Sequence, residues 1–273
     1  MFCHFDGSGA VFMIDGRAII DPSATLGEGV SVGPWTYIGP NVELGDGVEV
    51  ASHVVIKGPT KIGSGVRIYQ FSTVGEDTPA FAYAGEDTYL EIGANTVIRE
   101  GVTIHRGMVK GGIGRTEVGA NCLLMAYVHV GHDCVLGDYV VMANNASVAG
   151  HVIVGDYANF GGYSGVAQFR SVGANTHVAA MSLVLKDVPA YMTVSGNPAS
   201  AVGLNLEGMK RRGYSDETTA AIKQAHKAIY RSGNTAAEAI AALSELRTQH
   251  VEVERMVQSV EASEWGIIRP RAK

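Results

Sequence analysis

Aliphatic residues recur at every sixth position over most of this chain. The beat runs through Ile20, Leu26, Val32, Ile38, Leu44, Val50, Ile56, Ile62, Ile68 and Val74, and resumes at Ile92, Ile98 and Ile104. It then continues from Val118 through Leu124, Val130, Leu136, Met142, Val148, Val154, Phe160, Val166, Val172 and Val178 to Val184. A period of six matches neither the 3.6 of a helix nor the alternation of an ordinary strand, and it predicts a parallel β-helix. Each hexad supplies one short strand and one corner, so three hexads, 18 residues, close a triangular coil around the aliphatic side chains. No hexad buries its apolar residue alone, and stability comes from the coils stacked on either side. Glycine directly follows the aliphatic position at Gly27, Gly33, Gly39, Gly45, Gly63, Gly119, Gly137 and Gly155, which predicts corners that need glycine's conformational freedom. Small residues such as Ala149, Ala158 and Ala167 suit a narrow interior.

Two interruptions punctuate the beat. Between Val74 and Ile92 the residues Glu76, Asp77, Pro79, Ala80, Tyr83 and Glu86 break the pattern, and between Ile104 and Val118 the phase slips. Loops extruded from the prism are therefore expected near residues 75–91 and 105–117, and loops on a rigid scaffold are where binding groups tend to sit. After Val184 helical grammar takes over. Gly196-Asn197-Pro198 is a turn signal. Ser215 caps a helix running to Arg231, Thr235 and Glu238 have the spacing of a capping box for a second helix through Ile240, Leu243 and Leu246, and a third covers about 251–261. The organisation read from this is an extension over 1–12, a β-helix over 13–195 and a small helical domain over 196–273, which shields the open end of the solenoid.

Composition narrows the function classes. The 273 residues are 46% apolar and 18% charged, and the 35 glycines sit in the repeat rather than in a linker. A net charge of −6 argues against nucleic-acid binding, which needs a basic surface. No apolar run reaches the roughly 18 residues of a membrane span, and the first twelve residues lack the form of a signal peptide. The three cysteines, Cys3, Cys122 and Cys134, lack metal-site spacing and fit a reducing, cytoplasmic setting.

Winding the chain brings candidate chemistry together. His132 lies two places after Val130, and adding 18 reaches Gly150 with His151 beside it; adding 18 again reaches Gln168. These residues, with His129 nearby, should line one edge of the prism in successive coils. Asp133 can orient the His132 imidazole, the usual support of a general base. Three imidazoles could instead bind zinc, but Asp133 and Gln168 build a catalytic pocket equally well, so neither a metal nor a cofactor is expected.

Several segments carry a specific resemblance: Ile104-His105-Arg106-Gly107, Leu124-Met125, His129-Val130-Gly131-His132-Asp133-Cys134, Asn144-Asn145, Ala149-Gly150-His151, Gly196-Asn197-Pro198-Ala199 and the run from Asn205 to Gly213. Together they resemble the UDP-N-acetylglucosamine O-acyltransferases that begin lipid A synthesis, and the likeness runs from Met13, which resembles the family's usual start. The resemblance implies a left-handed β-helix, a homotrimer and active sites in clefts between neighbouring prisms. It implies that His132 takes the proton from the sugar 3-hydroxyl, which attacks the thioester of an (R)-3-hydroxyacyl chain on acyl carrier protein. Asp133 would hold His132 in its productive tautomer and the Gly150 amide would donate to the oxyanion. His129, His151 and Gln168 would line the donor and sugar sites, and Asn205, Glu207 and Arg211 would bind the nucleotide, a role that suits a guanidinium.

The chain also departs from that family. A lysine usual in the first extruded loop, often preceded by Asp-Leu, is replaced where this chain reads Ala80-Phe81-Ala82-Tyr83, and a histidine usual before Gln-Phe is replaced by Ala167. Losing polar groups from a polar site weakens or redirects recognition. A related enzyme using an amino-sugar nucleotide or acetyl-CoA is therefore the alternative, and a non-enzymatic scaffold a third reading. By the same resemblance Ala180 closes the acyl groove, with Met181 beside it, which predicts a medium donor of about ten to twelve carbons; the discrimination is shallow, since one methylene is worth only ~1–3 kcal/mol.

Overall fold

Every hexad residue named above is the last residue of a short strand, except where a strand runs one residue further at His105 or two at Glu76. In the computed structural model, which describes residues 14–271, the strands form three parallel faces that wind as a left-handed β-helix. The first face stacks Ile20, Ile38, Ile56, Val74, Ile104, Val130, Val148, Val166 and Val184; the second stacks Leu26 through Val172; the third stacks Val32 through Val178. The extension over 1–12 lies outside the described residues, as does Met13.

Two side chains per hexad point inward: the aliphatic residue and the residue two places before it, such as Val128, Cys134, Val140 and Val152, all essentially inaccessible. Each fully buried aliphatic contributes ~1.5–3 kcal/mol, which makes the stack rigid enough to fix side chains on its outer edges. Of the small residues expected inside, Ala158 is buried there, whereas Ala149 and Ala167 follow the aliphatic position and are half-buried on the edge. Cys122 and Cys134 are free buried thiols.

The glycine expectation is corrected. The left-handed backbone falls three residues after the aliphatic position, at Gly29, Gly47 and Gly65 but also at Trp35, Asn95, Asp133, His151 and Phe169. Glycines directly after the aliphatic residue serve a different need: a Cβ on Gly33 would lie 2.7 Å from the Ser52 nitrogen, and one on Gly155 would lie 2.5 Å from that of Ala174. Backbone of the next coil occupies the space a side chain would fill.

Both interruptions leave the prism at the same edge, between the first and second faces. The first emerges between strands Thr73–Glu76 and Tyr89–Ile92, the second between Thr103–His105 and Arg115–Val118. They are tied together: the Arg106 guanidinium, on the second, donates to the Gly75 carbonyl (2.5 Å), to Tyr83 Oη (3.2 Å) and to the Asp77 carboxylate, and the Val109 amide donates to Glu86 (3.3 Å).

The third face continues past residue 195 as an antiparallel hairpin of Met192–Ser195 and Ser200–Leu204. Five helices follow: α1 Leu206–Arg211, α2 Asp216–Tyr230, α3 Ala236–Ala242, α4 Leu246–Gln249 and α5 Val251–Glu261. Ser215 caps α2, and Thr235 with Glu238 forms the capping box of α3. The second expected helix is split, because Leu243 ends α3 and the chain restarts at α4; α1 was not anticipated as a helix. Among the described residues no helix is long and apolar enough to cross a membrane.

Candidate active site

Register places His132, Gly150 and Gln168 at equivalent positions of three successive coils, since Val130, Val148 and Val166 pair directly. This is the edge from which both loops emerge. Asp133 and His151 occupy its left-handed corner, with φ of 59° and 65°, a conformation that Asp and His tolerate better than most residues. The corner turns both side chains toward His132, whose ring meets that of His151 edge-on at 4.8 Å; His151 in turn stacks on Phe169 at 4.2 Å.

His132 is nearly buried and its Nδ1 lies 2.7 Å from Asp133 Oδ2. Asp133 has no exposed side-chain surface. Burial alone would raise its carboxyl, but the His132 hydrogen bond, the Met108 and Ile113 amides and the nearby His151 outweigh that, and it lies below the usual carboxylate range. A carboxylate facing Nδ1 fixes the proton there and leaves Nε2 as the basic nitrogen. That Nε2 rests against Gly150: a Cβ there would be 2.6 Å from Nε2 and 2.7 Å from Cε1. The Gly150 amide has no acceptor among the described residues. On the edge between the second and third faces three amides at the same hexad position are taken by an aspartate of the next coil: Glu28 donates to Asp46, Ala120 to Asp138 and Asp138 to Asp156.

Two more imidazoles extend the cluster along the first face. His129 Nδ1 lies 2.8 Å from Thr103 Oγ1, and its ring stands 5.2 Å from that of His105. Burial, with His129 adding to it, pushes His105 down to about 4; burial, with His132, lowers His129, and burial likewise lowers His151. His105 and Thr103 were missed as site residues because the phase slip defeats addition of 18: the partner of Ile104 is Val130, 26 residues on. The signal that could have found His105 was its place in Ile104-His105-Arg106-Gly107.

His132, Asp133 and His151 offer ligand atoms within 4.8 Å of one another. The donor set fits a metal poorly, because the Asp133 oxygens already accept from three amides and face His132 Nδ1.

The remaining predicted residues lie on other edges. Asn205, Glu207 and Arg211 line a cleft of about 340 Å³ with Tyr157, Asn159, His177 and Arg212, against the third face and its edge with the second. Within it Asn205 caps α1 through the Gly208 amide (3.0 Å), Glu207 pairs with Arg211 (2.9 Å), and the Arg212 guanidinium lies 3.7 Å above the Tyr157 ring. Ala180 follows Val178 on the edge between the third and first faces and is exposed, as are Gln168 and Ala82.

A hexad β-helix that sets an oriented imidazole against an unpaired backbone amide has the parts of acyl transfer: a base for the nucleophile and a dipole for the oxyanion. The protein is an acyltransferase of the hexapeptide-repeat class. Profile matches agree: "Bacterial transferase hexapeptide (six repeats)" covers residues 23–58 and 115–150, and "Udp N-acetylglucosamine O-acyltransferase; Domain 2" covers 187–268. The chain is 51% identical over 257 residues to the acyl-[acyl-carrier-protein]--UDP-N-acetylglucosamine O-acyltransferase of Stutzerimonas stutzeri, covering 94% of this chain and 99% of that one. The crystal structure of UDP-N-acetylglucosamine O-acyltransferase from Moraxella catarrhalis superposes with a TM-score of 0.92 at 44% identity, over 94% of this chain and 99% of that. The Arabidopsis UDP-N-acetylglucosamine acyltransferase does so at 0.81 and 32%, over 94% and 100%. This chain belongs to the UDP-N-acetylglucosamine O-acyltransferase family.

Proposed function

We infer that this chain transfers an (R)-3-hydroxyacyl group from acyl carrier protein to the 3-hydroxyl of UDP-N-acetylglucosamine, the first step of lipid A biosynthesis. The observation that carries the chemistry is the His132 ring, oriented by Asp133 with its Nε2 against Gly150. Nε2 takes the sugar hydroxyl proton as the oxygen attacks the thioester carbonyl. The Gly150 amide donates to the oxyanion, and the imidazolium returns its proton to the departing thiolate. His129, His151 and Gln168 border that centre and bind donor or sugar. Asn205, Glu207 and Arg211 bind the nucleotide.

In one protomer the base, the nucleotide cleft and Ala180 lie on three different edges of a triangular prism. A homotrimer brings such edges together, with the cleft and Ala180 facing His132 from a neighbouring copy. Ala180 then closes the acyl groove and selects donors of about ten to twelve carbons. The reaction takes place in the cytoplasm, a reading that the free thiols of Cys122 and Cys134 support.

Ala82 and Ala167 favour a second reading, in which the acceptor carries an amino group at C3. Purified protein given 3-hydroxyacyl carrier proteins of ten, twelve and fourteen carbons, with UDP-N-acetylglucosamine or its 3-amino analogue, separates these by mass spectrometry. An O-acyl ester with the shorter donors is expected. Exclusive N-acylation would transfer the reading to the amino sugar, and acetyl-CoA consumption without carrier protein would overturn both.

A further inference from the structure

The second extruded loop is built around a single carboxylate. We propose that residues 107–114 form an anion-binding nest that holds Asp133 in line with His132 Nδ1, and that Gly112 is thereby a positioning residue for the base. This rests on the acyl-transfer reading of His132.

Three loop amides converge on Asp133. Oδ1 accepts from Ile113 (2.8 Å), Gly114 (3.1 Å) and Met108 (3.2 Å), and Oδ2 lies 3.1 Å from the Met108 nitrogen as well as 2.7 Å from His132 Nδ1. Glycine makes this convergence possible: Gly107, Gly111, Gly112 and Gly114 fall within eight residues, and Gly111 and Gly114 have φ of 79° and 77°. The Gly114 amide also donates to the Met108 carbonyl at 3.0 Å and closes the loop on itself. Successive amides aimed into one concavity are a recurrent way to bind an anion.

Other corner aspartates show what the coil supplies without such a loop. Asp46, Asp138 and Asp156 each accept an amide of the preceding coil, from Glu28, Ala120 and Asp138, and remain partly accessible to water. Asp133 is sealed from water, so loop amides replace its solvation. Donors on both oxygens also prevent the carboxylate from rotating away from the imidazole. With the anion stabilised in this way, a proton taken up by His132 stays on the ring.

Gly112 is the sensitive point. A Cβ there would collide with the Met108 carbonyl oxygen and Asp133 Oδ1, and would lie 2.6 Å from Asp133 Cγ, whereas a Cβ on Gly111 meets open space. Gly112→Ala must therefore move the loop or the carboxylate. Gly47→Asn, at φ 63° in open space outside the nest, should leave both in place.

The test is a double-mutant cycle in the full-length enzyme, read by kcat, KM, thermal melting and the downfield proton resonance of the imidazole hydrogen-bonded to Asp133. Gly112→Ala is expected to lower kcat about 10- to 100-fold, to leave KM for UDP-N-acetylglucosamine within about 3-fold, and to abolish the downfield resonance. Gly47→Asn should match the parent. In an Asp133→Ala background, adding Gly112→Ala should change kcat by less than about 2-fold, because the two act through one group. Replacing Ile113 by the corresponding α-hydroxy acid, which exchanges the shortest amide for an ester without adding bulk at Asp133, should act in the same direction if Gly112→Ala melts early. Full multiplication of the two single effects, a raised KM at unchanged kcat, or a retained resonance at parental kcat would each overturn the nest. Failure of the parent enzyme to acylate the sugar would instead overturn the function, and the resonance and melting would still test the nest.

Discussion

Replacing Gly150 by alanine probes the contact on which the proposed chemistry depends. The new Cβ would sit 2.6 Å from His132 Nε2. Ordinary van der Waals contact begins near 3.4 Å, so the ring must withdraw by about 0.8 Å. It has little freedom to do so, pinned through Nδ1 to Asp133 at 2.7 Å and packed edge-on against His151. A displacement near 1 Å costs on the order of 10²-fold in rate, or about 2.7 kcal/mol of barrier. Shifting the adjacent amide from the oxyanion position costs a similar factor. The fold should survive, because Gly150 is not among the left-handed residues and alanine fits its backbone. Steady-state release of carrier-protein thiol should show kcat down about 100-fold, with KM for the sugar nucleotide nearly unchanged and melting lowered by a few degrees. A kcat within about 3-fold of the parent would refute the placement of Nε2 against Gly150.

Three further outcomes are expected. His105 titrates at about 4 when folded, against about 6.5 in an unfolded chain; between these values only the unfolded chain holds the extra proton, so stability should fall by on the order of 1–2 kcal/mol as pH drops from 6.5 to 5. Chemical denaturation at pH 7.5 and 5 should show this loss, partly removed by His105→Gln, and constant stability over that window would contradict it. Gly155→Ala should destabilise by ~1–3 kcal/mol because backbone of the next coil occupies the site, while Gly47→Asn, at φ 63° in open space, should change little; equal effects in a melting comparison would refute the two-role account of the glycines. Mixing inactive His132→Ala and Arg211→Ala subunits should restore roughly a quarter of parental activity if base and nucleotide cleft come from different copies, and no recovery would place both in one copy.

The prism was legible because a period of six is imposed by coil closure and overrides local preference, so each aliphatic position from Ile20 to Val184 landed on a face. The candidate edge was legible for the same reason: His132, Gly150 and Gln168 differ by 18 and no insertion intervenes. His105 escaped because the loop before Arg115 shifts the count to 26. Backbone was the other blind spot. The amides around Asp133 and the unpaired amide of Gly150 carry no side-chain signature, and glycine after each aliphatic residue reads as a turn until the neighbouring coil is seen pressing on it. Which edge carries the Asn205, Glu207 and Arg211 cleft was likewise hidden, since it depends on the hairpin that folds α1 back along the third face.

Single-turnover transfer by His132→Ala tests the central claim most directly. With the 3-hydroxyacyl carrier protein and UDP-N-acetylglucosamine saturating, the variant should lose between 10²- and 10⁴-fold in rate, roughly the contribution of a general base, while its melting stays within a few degrees of the parent. A variant that folds normally and still transfers acyl groups at near-parental rate would show that the base lies elsewhere.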